Sequence, residues 1–305
     1  MASDPSSVLE SGEQTLLASG LGRTEGPLWH PEGYLTFVDL EGSRLLRWDP
    51  AGTEGTDGAI SVVREGTGEG NGCTFDRQGR LLMCEGADHR RLTRMEADGT
   101  VNTVADTYQG KRFNKPNDVV CRSDGSIYFT DPELRLPPEQ REIGFAGIFR
   151  VDPSGQLHLA TDECEYPNGL AFSPDESTLY VAISRLDERC FEEAEKGLVC
   201  NHRKILAFDV AANGTLSNNR VFCDMSSAEE GVPDGMKVDT AGRIFCVGSG
   251  GIWVVEPDGT VLGVIKGPEV PRNVAFGGPD LRTIYATPGG SLYSFRVKTP
   301  GIAPY

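Results

Sequence analysis

The chain has 305 residues, of which 38 are glycine and 19 proline, and a formal net charge of −16 at neutral pH. That acidic balance favours solubility and, with no basic run present, excludes DNA and RNA as expected partners. No window approaches ~18 consecutive apolar residues, so no membrane-spanning helix is expected. The N-terminal MASDPSSVLESGEQ has neither the basic start nor the apolar core of a secretory signal. A cytoplasmic protein is expected, with a periplasmic one left open should a leader have been removed. The glycine and proline content points to many tight turns.

In chain order, the first predicted strand lies within 12–21 (EQTLLASGL) and stands outside any complete unit. Six copies of one unit follow. Each opens on an oxygen-bearing side chain, usually followed by glycine. An apolar run, a turn rich in Asp, Gly or Pro, and two further apolar runs come next. The copies open at Glu25 (EGPLWHPEGYLTFVD), Asn71 (NGCTFDRQGRLLMCE), Asn117 (NDVVCRSDGSIYFTD), Asn168 (NGLAFSPDESTLYVA), Asp234 (DGMKVDTAGRIFCVG) and Asn273 (NVAFGGPDLRTIYAT). Their intervals are 46, 46, 51, 66 and 39 residues. Less regular runs such as AISVVRE, TVNTVAD and VLGVIKG supply a fourth strand between units. Four strands at a period of roughly 50 residues are the signature of a propeller blade. The expected fold is therefore all-β: a six-bladed β-propeller in one domain (1–305), with four antiparallel strands per blade. The sixth unit has only three strands, so the strand at 12–21 is expected to complete it and close the ring. The stretch 186–197 (LDERCFEEAEKG) interrupts the fourth unit and reads as a short helix.

The first strand of each blade lines the central channel. The six opening residues Glu25, Asn71, Asn117, Asn168, Asp234 and Asn273 would then converge on one axis. Taken singly, Asn-Gly or Asp-Gly reads as a hairpin turn. Taken together, each unit already has its turn elsewhere, and the six openings are in register. Two carboxylates and four amides aimed at one point suit a hard cation, which favours calcium. Magnesium or manganese would substitute, zinc less well.

No G-x-S-x-G elbow, phosphate loop, H-E-x-x-H or EF-hand loop is present. The four histidines have no metal-like spacing. Of eight cysteines none forms a C-x-x-C pair. Most read as small buried hydrophobes, with a Cys190–Cys200 disulfide left open. Nothing specifies an oligomer.

Five segments together resemble the gluconolactonase/regucalcin family: EGP at Glu25, RFNKPND over 112–118, PNGLAFSPD over 167–175, VPDGMKVD over 232–239, and RNVAFGG over 272–278. The resemblance runs from about Glu25 to the C-terminal SLYSFRVK. It implies a six-bladed propeller with one axial divalent cation and a small-molecule lactone substrate. It places Glu25, Asn168 and Asp234 on the metal ligands. Asn117 falls where members bind metal or substrate, and Asp234 on the proposed base. Sugar-lactone members often carry an arginine two residues before that asparagine; here the position is Lys115, with Arg112 further back. Asn71 and Asn273 are then expected to face substrate, with Lys115, Arg112 and Glu85 as rim contacts. Loops 134–145 and 186–201 would set specificity. Related enzymes of this architecture hydrolyse phosphofluoridates, so a phosphotriesterase remains open, as does a calcium-binding propeller without catalysis.

Overall fold

The fold is that of a computed structural model, which describes residues 4–50, 58–86, 89–133, 136–184 and 203–304. Six four-stranded antiparallel sheets are arranged as blades. From the innermost strand outward, blade 1 is Thr24–His30, Tyr34–Asp39, Arg44–Asp49 and Ala59–Glu65. Blade 2 is Gly70–Phe75, Leu81–Glu85, Arg91–Met95 and Val101–Ala105. Blade 3 is Val119–Cys121, Ile127–Asp131, Gly147–Val151 and Leu157–Thr161. Blade 4 is Pro167–Phe172, Thr178–Ser184, Arg203–Val210 and Leu216–Asp224. Blade 5 is Met236–Val238, Ile244–Gly248, Gly251–Val255 and Val261–Ile265. Blade 6 is Pro271–Gly277, Thr283–Pro288 and Ser291–Arg296, completed by the N-terminal strand Thr15–Ser19. That strand pairs antiparallel with Ser291–Arg296, as the short sixth unit predicts. Among the described residues there is no α-helix, and none long and apolar enough to cross a membrane. The helix expected at 186–197, the Cys190–Cys200 pair and residues 134, 135 and 186–201 of the specificity loops lie outside the described residues.

The core is divided into six parts, each between two neighbouring blades. The inner strand of blade 1 shows why. Leu28 packs toward blade 2 with Cys73 and Met83, while the adjacent Trp29 packs toward blade 6 with Ala275 and Tyr285. Trp29 and Tyr285 stack with ring centroids 5.3 Å apart. Successive side chains point to opposite faces of a strand, and here both faces are covered. Inner strands therefore read as continuous apolar runs rather than alternating ones. Cys73, Cys84, Cys164, Cys223 and Cys246 are buried free thiols in these layers, and Cys121 is half-buried. Burial pushes the Cys121 and Cys223 thiols up to about 11.

Antiparallel alternation puts two kinds of loop at opposite ends of the channel. The first turn of each unit lies at the lower mouth. The opening residues, and the loops joining second to third strands, lie at the upper mouth.

Candidate metal and active site

The six opening residues form an unbroken circle of contacts. Gly26 is left-handed (φ +53°), and a Cβ there would fall 2.1 Å from the Asn71 carbonyl oxygen. The Gly72 N–H donates to the Asn117 carbonyl at 2.7 Å. Thr130 links blade 3 to blade 4: its hydroxyl donates to the Asn168 carbonyl at 2.8 Å, and its own carbonyl accepts the Asn117 N–H at 2.8 Å. A Cβ on Gly169 would lie 2.3 Å from the Asp234 carbonyl oxygen. The Gly235 N–H donates to the Arg272 carbonyl at 3.0 Å, and a Cβ on Gly235 would fall 2.0 Å from the Asn273 amide. The Asn273 Nδ2 donates to Glu25 Oε2 at 3.2 Å and closes the circle. The glycine after the opening residue is thus required by the neighbouring blade, not by a hairpin turn.

The ladder breaks at the same places. Register shifts fall between Glu25 and Leu28, Gly70 and Cys73, Pro167 and Leu170, and Pro271 and Asn273. In blades 3 and 5 the inner strand starts only after the opening residue, at Val119 and Met236. Bulges at a rim release a residue from the ladder and re-aim its side chain. All six openings are buried, from Asn168 at 2% exposure to Asp234 at 8%.

This donor set fits a hard cation. The Asn168 Oδ1 is buried with no hydrogen-bond donor, an arrangement that costs free energy unless a positive group meets it. The Asn117 Nδ2 is buried without an acceptor. Exchange of the amide nitrogen and oxygen, which keeps the side chain's shape, would put an acceptor there. Glu25 and Asp234 bring the negative charge. Among the described residues no three His, Cys, Asp or Glu side chains gather as a metal cluster. That agrees with a ring of two carboxylates and four amides, and nothing soft is offered.

Behind the ring, Asp131 anchors the loop that carries Asn117. It is fully buried, and its Oδ2 and Oδ1 accept the N–H groups of Asn114 and Lys115 at 2.8 and 2.7 Å. The Asn114 Nδ2 also donates to Oδ2 at 3.1 Å. Burial pushes the Asp131 carboxyl up to about 7, against the pull of those hydrogen bonds and of Arg90. Asp118, next to Asn117, is likewise buried and raised by burial, with Lys237 opposing. Neither residue was expected in the site. The signal for Asp131 is an acid closing the second strand of three successive units: Asp39, Glu85 and Asp131.

Some expected rim contacts have other tasks. Glu85 is fully buried, so it is not a rim contact; Arg64, Arg91, His89 and Thr93 take its two oxygens. Asn273, expected to face substrate, spends Nδ2 on Glu25 and Oδ1 on the Val274 N–H, so both ends of its amide are engaged within the ring. Arg112 is exposed on a two-stranded hairpin (Thr107–Tyr108 with Lys111–Arg112), its N–H donating to Glu142. Lys115 is at the mouth, its Nζ 2.5 Å from Glu69 Oε2. Asn71 lies in the circle beside Gly26.

A family model described as the SMP-30/Gluconolactonase/LRE-like region matches residues 23–289. The chain is 30% identical to a gluconolactonase of Zymomonas mobilis over 94% of this chain and 82% of that protein. It is 32% identical to a pentonolactonase of Haloferax volcanii over 87% of this chain and 81% of that one. A solved structure from Xanthomonas campestris, described as a gluconolactonase, superposes with a TM-score of 0.80 at 34% identity, covering 96% of this chain and 92% of that one.

Proposed function

The chain belongs to the SMP-30/gluconolactonase/LRE-like family, and from that premise we propose that it hydrolyses a lactone with a divalent cation, calcium, held on the propeller axis. The observation that carries this reading is the closed circle of opening residues, in which the buried Asn168 oxygen has no donor and which also holds Glu25 and Asp234. Glu25, Asn117, Asn168 and Asp234 would hold the cation. When bound, such an ion supplies a Lewis acid that polarises the ester carbonyl and stabilises the developing oxyanion.

The chain's own groups do the rest. Asp234 accepts a hydrogen bond from the attacking water and takes up the proton it releases. The water oxygen bonds to the acyl carbon, the ring C–O bond breaks, and Asp234 passes its proton to the leaving alkoxide, which becomes the hydroxyl of a hydroxy acid. Asn117 and Asn71 orient the substrate's oxygens. Asn273 keeps Glu25 in place, and Asp131 and Asn114 keep the 113–117 loop in place. The two lactonase relatives support a sugar-type lactone as the substrate class.

The test is hydrolysis of a panel of five- and six-membered lactones, with one fluorophosphate for comparison, by chelator-treated protein with and without added calcium. Turnover should fall at least ~100-fold on chelation and return with calcium. Lactones should be turned over faster than the fluorophosphate. Asp234→Ala should lose at least ~1000-fold in turnover and bind calcium more weakly by calorimetry. Near-normal turnover in that variant removes Asp234 from the mechanism. Chelation that lowers thermal stability while no lactone is ever hydrolysed would instead make this a non-catalytic calcium-binding propeller.

A further inference from the structure

We infer that His89 is a specificity-determining residue of the upper mouth: its imidazole Nε2 accepts a hydrogen bond from a hydroxyl of the substrate ring, which favours polyhydroxylated lactones over alkyl ones. The inference rests on the lactonase reading.

Glu85 dictates the state of the ring. Its Oε1 accepts from Arg64 Nη2 at 2.6 Å and from the Thr93 hydroxyl at 3.1 Å. Its Oε2 accepts from Arg91 Nε at 2.8 Å and meets His89 Nδ1 at 2.8 Å. Flanked by two guanidinium groups, Glu85 is an acceptor only. His89 Nδ1 therefore carries the hydrogen, and in the neutral ring Nε2 keeps its lone pair. Glu85 is fully buried, whereas the His89 side chain is 36% exposed. The carboxylate forms the floor, and the ring stands on it.

The ring is also close to the axis. Glu85 is the cross-strand partner of Gly70, about 5 Å away across the sheet, and Gly70 precedes Asn71. The imidazole lies against Gly68, where a Cβ would fall 2.3 Å from Nδ1. Gly68 is left-handed (φ +60°), and its N–H is pinned by the Ser43 hydroxyl at 2.8 Å. Three Cα steps lead from it to Asn71, at most ~10 Å of chain. Beside His89 stands the Lys115–Glu69 ion pair, with Lys115 packed over Gly86. This rim offers a lone-pair nitrogen, a carboxylate and an ammonium, which suit hydroxyl groups and leave an alkyl ring unmatched.

The experiment compares two lactones of the same ring size, glucono-1,5-lactone and δ-valerolactone, with the calcium-loaded protein. For His89→Ala, the KM for glucono-1,5-lactone should rise about three- to tenfold, the value of one neutral hydrogen bond. Its kcat should stay within about twofold, and the KM for δ-valerolactone should not move. His89→Gln, which offers an amide oxygen, should recover most of the loss. Equal changes for both lactones, or none, would overturn the role of His89, as would an unmodified protein that prefers δ-valerolactone. Failure of the unmodified protein to hydrolyse either lactone would instead overturn the lactonase reading beneath it.

Discussion

The two mouths of the channel are built from the same repeat by different rules. At the lower mouth, blades 2 and 5 turn on Asp76-Arg77-Gln78-Gly79-Arg80 and Asp239-Thr240-Ala241-Gly242-Arg243. Both aspartates accept the N–H groups two and four residues on, each at 2.9 Å. Both pair with the following arginine. Both glycines are left-handed, with φ +74° and +86°. At the upper mouth the six register-equivalent residues have unlike partners: one glutamate takes an amide's hydrogen, one asparagine oxygen takes none, and one asparagine is spent holding a neighbour. The lower mouth repeats because a turn needs one solution. The upper mouth diverges, as the proposed axial site would require, since one site draws a different group from each blade.

The largest expected effect separates the two kinds of glycine. Gly169 is not left-handed, but a Cβ there would press on the Asp234 carbonyl. Gly169→Ala should displace a proposed ligand and lower kcat/KM at least ~100-fold, since small misplacements at a reacting centre are costly. Gly79 has open space around it and only its positive φ to protect. Gly79→Ala should cost about 1–2 kcal/mol of stability with kcat unchanged. Steady-state kinetics and urea melts on both variants decide this. Similar kinetic losses in the two would erase the distinction between the mouths.

The next effect is purely structural. Asp239 is fully buried, holds two backbone N–H groups and Arg243, and its backbone bridges to Gly301 near the C-terminus. Asp239→Ala should destabilise by about 2–4 kcal/mol while kcat and KM for the lactone stay within about twofold. A loss of turnover in the folded variant would show that the lower mouth is coupled to the site.

This contrast also explains what was legible in the sequence. The lower turns are local, so the turn rich in Asp, Gly or Pro that recurs in each unit marks the repeat and the blade count, and the three-strand sixth unit marks the missing strand that Thr15–Ser19 supplies. The openings were legible as a set because they are in register. Their partners were not. Glu85 looks like one more acid near the mouth, yet Arg64, which buries its charge, comes from the outer strand of another blade. Asn273 looks equivalent to Asn168, yet it faces Glu25, 248 residues away in the chain. Such pairings arise only when the ring closes, and no single unit encodes them.

The smallest expected effect compares the three acids that close second strands. Asp39 pairs with Arg44 at 2.6 Å, and Glu85 with Arg64 and Arg91. Asp131 makes no ion pair among the described residues and relies on backbone N–H groups and Asn114 instead. Burial therefore raises its carboxyl to about 7, against about 3.9 in an unfolded chain. Between about pH 4 and 7 the folded state binds more protons than the unfolded one, so this group's contribution to stability falls as pH rises through that window. Asp131→Asn removes the titration. Its oxygen can still accept one N–H, but its NH₂ cannot accept the second, a cost that does not vary with pH. The stability of the unmodified protein relative to Asp131→Asn should thus decline by about 2–3 kcal/mol between pH 5 and 7.5, read from urea melts at each pH. A flat difference would mean that Asp131 titrates like an ordinary carboxylate, and that the loop bearing Lys115 and Asn117 is held without the buried proton.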